Sequence, residues 1–241
     1  MLVFSFVIAI NNNMVAQTNH PNLFSLLPAS QTGIDFKNEI FESDTINILN
    51  QANIYNGGGV GIGDFNRDGL VDIYFAANMT SNKLYLNKGS MKFEDITNPA
   101  GVGGTGRWCT GVSVVDINGD GWLDIYVCAS FRKDALQRTN LLFINQGNNK
   151  DGIPVFKEEA AAYGLADKGF STQAYFFDYD KDGDLDCYLV TNELNDPKTP
   201  IKFRPKVTDG SALNTDRLYR NNGNNTFTNV SHEAGILMEG W

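Results

Sequence analysis

Three nine-residue loops carry the side chains whose types and spacing suit metal binding. Each loop places Asp or Asn oxygens at positions 1, 3, 5 and 9 and glycine at position 6. With a backbone carbonyl at position 7, such a loop offers the roughly six to eight hard oxygen ligands that Ca²⁺ takes. Carboxylates this close together repel one another unless a cation lies among them. The predicted ligands, at positions 1, 3, 5, 7 and 9, are Asp64, Asn66, Asp68, Leu70 and Asp72; Asp116, Asn118, Asp120, Trp122 and Asp124; and Asp178, Asp180, Asp182, Asp184 and Asp186.

The glycine at position 6 and the number of acids refine this prediction. Position 6 is Gly69, Gly121 or Gly183, and it lies where a calcium loop turns sharply, since glycine takes positive φ without steric cost. Mg²⁺ suits the loops less well because it demands a tight octahedron and keeps several of its waters. The third loop contains five Asp, so we expect it to bind its ion most tightly.

The residues that follow each loop exclude an EF-hand. An EF-hand loop ends in a bidentate Glu at position 12 and lies between two helices. Position 12 is Phe75, Val127 or Leu189 here, and each loop continues into alternating residues rich in the β-branched and aromatic types of strands. The sequence therefore predicts a loop between two strands. The alternative is an acidic hairpin whose Asp, Asn and Gly are turn residues without metal; three copies of identical spacing favour the metal.

Two further signatures recur after each loop, always in the same order. The second has the form Asn/Asp-x-Leu-Tyr/Phe-x-Asn-x-Gly and predicts a short strand that ends in a turn. The third runs from Phe to Gly over eight residues and predicts the last strand of each unit. The second begins at Asn82, Asn140 and Asp216, and the third spans 93–101, 156–164 and 227–235.

The period of the repeat indicates the architecture. The loops begin at Asp64, Asp116 and Asp178, which are 52 and 62 residues apart. Four strands within that length match one blade of a β-propeller. Regularly spaced strands also suit a β-sandwich, but a sandwich does not reuse one long unit. The predicted fold class is therefore all-β, a β-propeller of four-stranded blades with calcium-binding loops.

The signatures divide the chain into segments. Residues 1–23 are a possible signal or leader segment, 24–56 a closing strand and lead-in, 57–107 the first blade, 108–169 the second, and 170–241 the third with the start of the next. Residues 24–34 repeat the Phe-to-Gly signature without a metal loop before it, which predicts an orphan fourth strand of the kind that closes propeller rings. About three blades make an incomplete ring, so we expect further C-terminal blades of the same protein, with closure by oligomerisation as the alternative.

Composition and charge bound the function. The 241 residues carry a formal charge of −9, and 11 of the 28 acidic side chains lie in the three loops. With no basic stripe, binding to a nucleic-acid backbone is not expected. Arg107, Arg132, Lys133 and Arg138 are interpreted as local charges on solvated loops. No apolar run reaches the length of about 18 residues that a transmembrane helix needs.

The cysteines, histidines and N-terminal residues add smaller constraints. Cys109, Cys128 and Cys187 have no metal-ligand spacing and are predicted to be buried free thiols rather than a disulfide or redox pair. His20 and His232 have no implied partner, which gives a His-based catalytic site little support. The apolar stretch 2–10 has the length of a signal-peptide core but lacks a preceding Lys or Arg.

The three signatures together resemble a known repeat family. The metal loops, preceded by Gly-Val-Gly-Ile-Gly before Asp64 and Val-Ser-Val-Val before Asp116, are similar to the FG-GAP or VCBS-type repeat of integrin-α-like β-propellers. The second and third signatures are similar to those of large bacterial VCBS-repeat proteins that often carry an ASPIC/UnbV segment. The resemblance covers about residues 24–241 and implies Ca²⁺ bound in the loop between the first two strands of each blade, on the fifteen positions given above.

Two functions of different class follow from these observations. The first is a non-enzymatic, calcium-stabilised propeller, extracytoplasmic and secreted or surface-exposed, serving adhesion, binding of a protein or carbohydrate ligand, or scaffolding. Loops of modest affinity suit compartments where calcium is about 10⁻⁴ to 10⁻³ M. The alternative is the scaffold of an extracellular polysaccharide-acting enzyme, a lyase or hydrolase, with Trp108, Trp122 and Trp241 stacking on sugars. Core packing is the competing interpretation of these tryptophans.

Overall fold

The computed structural model describes residues 24–49, 53–193 and 205–240. The predicted leader 1–23 and Trp241 lie outside these residues. The described chain is nearly all β, with twelve strands and three one-turn α-helices. The strands are β1 Val60–Gly63, β2 Asp72–Phe75, β3 Lys83–Asn87, β4 Phe93–Asp95, β5 Trp108–Val115, β6 Asp124–Ser130, β7 Leu141–Asn148, β8 Pro154–Glu158, β9 Ser171–Phe177, β10 Asp186–Thr191, β11 Arg217–Asn221 and β12 Phe227–Asn229; the helices are α1 Ala29–Thr32, α2 Thr97–Ala100 and α3 Ala160–Tyr163.

The strands form three antiparallel four-stranded sheets in sequence order. β1–β4 make the first sheet, β5–β8 the second and β9–β12 the third. Each sheet is a meander in which neighbouring strands in the chain pair. The prediction of an all-β fold built from four-stranded units is confirmed. The three sheets have the organisation of consecutive blades in an incomplete propeller.

The alternating direction of side chains along β6 explains how the second sheet packs between the other two. Ile125 and Val127 of β6 belong to the apolar core shared with the first sheet. Tyr126 and Cys128, the residues between them, belong to the core shared with the third. Because successive strand residues point to opposite faces, a middle sheet covered on both faces reads as a continuous apolar strand. All seven residues of β6 are buried for this reason.

Small residues allow the first strands of the sheets to approach closely. A Cβ on Gly61 would lie 2.7 Å from a methyl group of Val114, and one on Gly111 would lie 2.4 Å from the carbonyl oxygen of Thr172. Polar bonds also cross between sheets, because Ser113 Oγ donates to the carbonyl of Ala174 at 2.6 Å. These contacts make the sheets one packed body rather than separate meanders.

A repeated tyrosine–asparagine pair ties each of the first two sheets to the next. Asn82 Nδ2 donates to Tyr74 Oη at 2.8 Å, and that hydroxyl donates to the carbonyl of Val102 at 2.8 Å. Asn140, Tyr126 and Leu165 repeat the arrangement in the second sheet. In the third sheet the asparagine is replaced by Asp216, and the Tyr188 hydroxyl donates to its carboxylate. The second signature therefore encodes a structural bond as well as a strand.

The Phe-to-Gly signature is a strand only at its start, which corrects the prediction of a strand along its whole length. Phe93 begins β4, and the signature then forms the helical turn α2, which Gly101 ends at a φ of 79°. The second copy does the same with β8 and α3, ending at Gly164 with a φ of 76°. Asp95 satisfies the backbone N–H of Thr97 at 3.0 Å and so supports the turn. Glycine suits the left-handed cap because it lacks a Cβ.

The N-terminal copy of the Phe-to-Gly signature, residues 24–34, forms the helical turn but not the strand. Residues 24–28 have no regular secondary structure, and α1 follows with Gly33 as its left-handed cap at a φ of 79°. The predicted closing strand is therefore not formed by these residues. A strand needs a paired edge, and none of the described strands pairs with this segment. Within the described residues, no helix has the length and apolarity to cross a bilayer.

Candidate functional site

All three acidic loops are hairpin connections of the same register. Gly63 pairs with Asp72, Val115 with Asp124, and Phe177 with Asp186. The strand before each loop thus ends at the residue preceding position 1, and the next strand begins at position 9. This confirms the prediction of a loop between two strands, and it places the three loops at the same end of their sheets.

The loop backbones share one conformation. Position 6 has a positive φ in each loop, at 85° for Gly69, 84° for Gly121 and 99° for Gly183, as predicted. Position 4 also has a positive φ, which sequence reasoning missed because two of the three residues there, Arg67 and Lys181, are not glycine. Non-glycine residues seldom take this conformation. The same backbone therefore recurs where the sequences differ.

Position 1 closes the loop by accepting backbone N–H groups. In the first loop, Asp64 accepts from Asp68 at 3.1 Å and from Gly69 at 2.8 Å. In the second, Asp116 accepts from Asp120 and Gly121 at the same two distances. In the third, Asp178 accepts from Lys181 and Gly183.

Position 9 is the buried carboxylate of each loop. Asp72, Asp124 and Asp186 each have no exposed surface. One oxygen of Asp124 accepts the backbone N–H of Ile117 at 3.0 Å, and the other accepts that of Asn145 at 2.8 Å. Burial raises the pKa of Asp72 to about 6 and that of Asp124 to about 7, although these backbone bonds act in the opposite direction. Burial also raises the pKa of Asp186.

The partner of position 9 belongs to the second signature. Asp72 accepts from the backbone N–H of Asn87, and Asp186 accepts from that of Asn221, each at 2.8 Å. The side chain of the same asparagine binds back to the loop, as Asn87 Nδ2 does with the carbonyl of Val71 at 2.9 Å. The spacing of the two signatures could not reveal this bond, because the intervening chain varies in length.

The third loop gathers three carboxylates around one point. Asp178, Asp180 and Asp186 each offer an oxygen within 4.8 Å of the others, with the first two exposed and the third buried. The first two loops have Asn at position 3, where the third has Asp180. In the first loop the side-chain amide of Asn66 donates to Asp68 at 3.0 Å, and in the second that of Asn118 donates to Asp120 at 3.0 Å. The third loop therefore has the higher charge density, as its sequence predicts.

The donor set of the third loop fits a hard divalent cation. Burial, followed by the charge of Asp182, raises the pKa of Asp184. One carboxylate oxygen of Asp184 is buried without a partner among the described residues. Since clustered carboxylates raise one another's pKa, a cation would offset their repulsion. Oxygen-only ligands suit Ca²⁺, which accepts six to eight of them at about 2.3–2.6 Å.

The first and second loops touch through Arg67, which the sequence did not single out. Its Nε donates to the carbonyl of Gly121 at 3.0 Å, and its guanidinium lies over the Trp122 ring, 4.3 Å from the centroid. Asn148 adds a bond from the second sheet to the carbonyl of Asn66 at 2.7 Å. The first two candidate metal loops therefore form one contiguous surface.

Comparison with known proteins identifies one repeat. Residues 64–127, from the first loop to the strand after the second, match the family model described as an FG-GAP-like repeat. No curated protein matches the chain. The resemblance drawn from the sequence motifs is thus confirmed over the segment that contains the first two loops.

Proposed function

The chain carries an FG-GAP-like repeat, and on that premise we propose that it is a calcium-binding β-propeller module without catalytic activity. One Ca²⁺ would bind in each acidic loop, held by the fifteen residues at positions 1, 3, 5, 7 and 9. The ion would stabilise the loop end of each sheet by offsetting the repulsion among its carboxylates. The metal is structural in this proposal.

The observation that carries the proposal is the carboxylate cluster of Asp178, Asp180 and Asp186. The equivalence of the three loops extends it, because all share strand register, position-6 conformation and the buried Asp at position 9. In every copy the buried carboxylate at position 9 shares its loop with at least two further carboxylates, and a cation would offset their repulsion. A cation bound in each loop would account for the features that the three loops share.

The module would act outside the cytoplasm, in adhesion, binding of a protein or carbohydrate ligand, or scaffolding. Calcium loops of extracellular modules have dissociation constants of about 10⁻⁴ to 10⁻³ M and fill only where calcium is abundant. Three bound Ca²⁺ would reduce the formal charge from −9 to about −3, so much of the acidity belongs to the loops.

The alternative of a polysaccharide-acting enzyme gains no support from the described tryptophans. Trp108 is 4 % exposed and stacks on Phe131 with ring centroids 4.1 Å apart. The guanidinium of Arg67 covers one face of Trp122, which is partly buried. Their positions suit packing rather than stacking on a sugar, and we do not carry this alternative further.

Thermal unfolding in calcium and in chelator tests the proposal. Binding to the folded chain alone raises its stability by an amount that grows with ligand concentration. We expect the melting temperature to rise with added Ca²⁺, and we expect Asp178→Asn with Asp180→Asn to reduce that rise. Asp151→Asn, an exposed acid outside the loops, is the matched control and should respond like the unaltered chain. A melting temperature that is unchanged by added calcium and by chelator would refute the proposal.

A further inference from the structure

The second sheet has a longer connection than the first, and a shorter one than the third, at the end opposite its acidic loop. The connection between its second and third strands runs from Phe131 to Thr139, nine residues between Ser130 and Asn140. The equivalent connection of the first sheet has three residues, 79–81, between Asn78 and Asn82. The fold does not need the extra length, because the first sheet forms without it. Inserted connections on a rigid scaffold are where binding residues concentrate.

This connection, residues 131–139, is the centre of a cluster of five cations that we call the basic patch: Arg107, Arg132, Lys133, Arg138 and Lys168. Arg138 Nη1 donates to the carbonyls of Arg132 at 2.6 Å and Lys133 at 2.7 Å, and its Nε donates to that of Lys168 at 3.1 Å. Arg107 Nε donates to the carbonyl of Thr139 at 2.9 Å. The five residues are therefore neighbours in the fold. Arg138 is only 5 % exposed, so its interpretation as a charge on a solvated loop is wrong.

Within the described part of the chain no ion pair involves the basic patch, although Asp134 and Asp167 lie beside it. The ion pairs there are Lys83–Asp95, Lys88–Glu94 and Lys157–Glu159, none of which involves the patch. The nearby Asp134 caps the 3₁₀ turn Ala135–Arg138. Asp167 accepts hydrogen bonds from Tyr219 and Gly169. Five cations beside two acids leave the patch net positive, and an anionic partner would offset the remaining repulsion.

Two polar atoms at the patch lack partners. The Oγ of Ser130 is buried and unpaired, and the residue is 1 % exposed. The Nε of Arg132 is also buried without an acceptor, and burial lowers the pKa of its guanidinium. In the first sheet the equivalent of Ser130 is Asn78, whose amide donates to the carbonyls of Gly57 and Cys109. Buried polar groups nearly always pair with protein or ordered water, and the described residues leave these two atoms unsatisfied.

The residue between these two is held in a strained conformation. Phe131 has a φ of 67°, and the backbone N–H of Arg132 donates to the carbonyl of Ser130 at 2.7 Å, which makes a γ-turn of the rare positive-φ form. Its ring stacks on Trp108, and the Arg132 guanidinium lies 5.8 Å from the centroid of the same indole. The turn thus sets Ser130 and Arg132 on either side of a fixed aromatic stack.

We propose that the Arg132 guanidinium, with the exposed Lys133 beside it, binds a carboxylate of an acidic protein segment at the end of the sheets opposite the acidic loops. A guanidinium presents paired donors that match a carboxylate. Leu136 on the same connection is 67 % exposed, and an arginine beside aromatic and exposed aliphatic side chains is typical of a protein interface. A sugar-binding surface would present an open aromatic face, whereas Trp108 is covered. This site contains no loop carboxylate and is independent of the proposed calcium binding.

Fluorescence anisotropy of a labelled oligo-glutamate peptide with the full chain tests the proposal. We expect saturable binding that weakens with salt, because Lys133 and Lys168 are exposed. Arg132→Gln should weaken it about tenfold or more, the effect of removing one partner of a desolvated charge pair. Lys133→Gln should weaken it less, and Lys88→Gln, an exposed lysine of the first sheet, should leave it unchanged. Measurement in calcium and in chelator, below the melting temperature of the metal-free chain, should give the same affinity.

The outcomes separate the proposal from its competitors. Absence of saturable binding, an unchanged affinity in Arg132→Gln, or an equal loss in Lys88→Gln would overturn it. Tighter binding of a polyuronate oligosaccharide than of the peptide would overturn the assignment to a protein partner. Circular dichroism of each variant checks folding; should Arg132→Gln fail to fold, Lys133→Gln carries the test, because its side chain is exposed and bears no structural bond.

Discussion

The carboxylate of Asp124 accepts the backbone N–H of Asn145 at 2.8 Å, joining the end of the second acidic loop to the third strand of the same sheet. Asp72 with Asn87 and Asp186 with Asn221 repeat the bond at the same distance. Position 9 is therefore a structural residue in its own right. It supports the loop whether or not it also binds a metal ion.

Asp124→Asn should loosen the third strand of the second sheet at Asn145. An amide has one acceptor oxygen where the carboxylate has two, so one of the two buried N–H groups loses its partner, at a cost of about 1–3 kcal/mol. We expect faster hydrogen exchange at Asn145 or Ile117, measured in chelator. Asp116→Asn, at position 1 of the same loop, is the control and should leave exchange at Asn145 unaltered. Equal exchange in both variants would contradict the structural role of position 9.

Tyr126→Phe should destabilise the contact between the second and third sheets. The buried hydroxyl of Tyr126 donates to the carbonyl of Leu165 and accepts from Asn140, so its removal leaves two buried groups short of a partner. We expect the free energy of unfolding in denaturant to fall by about 1–3 kcal/mol. Tyr188→Phe, whose hydroxyl is less buried and bonds to Asp216, should cost less. The prediction is wrong if the two variants lose the same stability.

Asp95→Asn should change how stability depends on acid. Partial burial opposes ionisation of Asp95, but bonds from Lys83 and Thr97 outweigh it and lower the pKa of the carboxyl. A lowered folded-state pKa stabilises the fold above the unfolded value of 3.8, and the contribution is lost as pH falls through the folded value. The variant should be less stable by about 1 kcal/mol at neutral pH, and the difference should shrink below pH 4, by denaturant titration.

A control and a contrary result accompany this prediction. Asp151→Asn removes an exposed acid and should leave the pH dependence of the unfolding free energy unchanged. A constant difference between Asp95→Asn and the unaltered chain across the acid range would mean that ionisation of Asp95 does not stabilise the fold.

The three thiols should be inert until the chain unfolds. Cys109, Cys128 and Cys187 are free and buried, as the sequence predicted, and burial raises the pKa of Cys109 to about 11. The thiolate is the reactive form, so a raised pKa and burial both suppress reaction. We expect no labelling by a thiol reagent at neutral pH in the native state and three labels in denaturant. Rapid native labelling of any of them would show that the intersheet core opens.

Repetition made most of the fold predictable from the sequence. Identical spacing from Asp64 to Asp72 and its two later copies identified loops between strands, because turn and strand residues recur in a fixed order. The second half of the Phe-to-Gly signature was wrongly predicted to be a strand. Thr97–Ala100 instead forms a helical turn, which is too short for helical periodicity to be recognised in the sequence. The strand predicted at 24–34 is also wrong, because part of this segment forms a short helical turn and no described strand pairs with it.

The acidic loops were predictable from the sequence, whereas the contacts that support them were not. The types and spacing of Asp178, Asp180 and Asp186 indicate oxygen ligands directly. The bond from Asn145 to Asp124 and the contact of Arg67 with Trp122 join residues separated by many positions. Such long-range contacts depend on how the sheets stack, which a local pattern does not specify.

Direct calcium binding to the full chain is the most decisive measurement. Isothermal titration calorimetry of chelator-treated protein should give saturable binding of three ions per chain with dissociation constants of about 10⁻⁴ to 10⁻³ M or tighter. Asp178→Asn with Asp180→Asn should remove one of the three sites. A folded chain that binds no calcium at millimolar concentration would contradict the account.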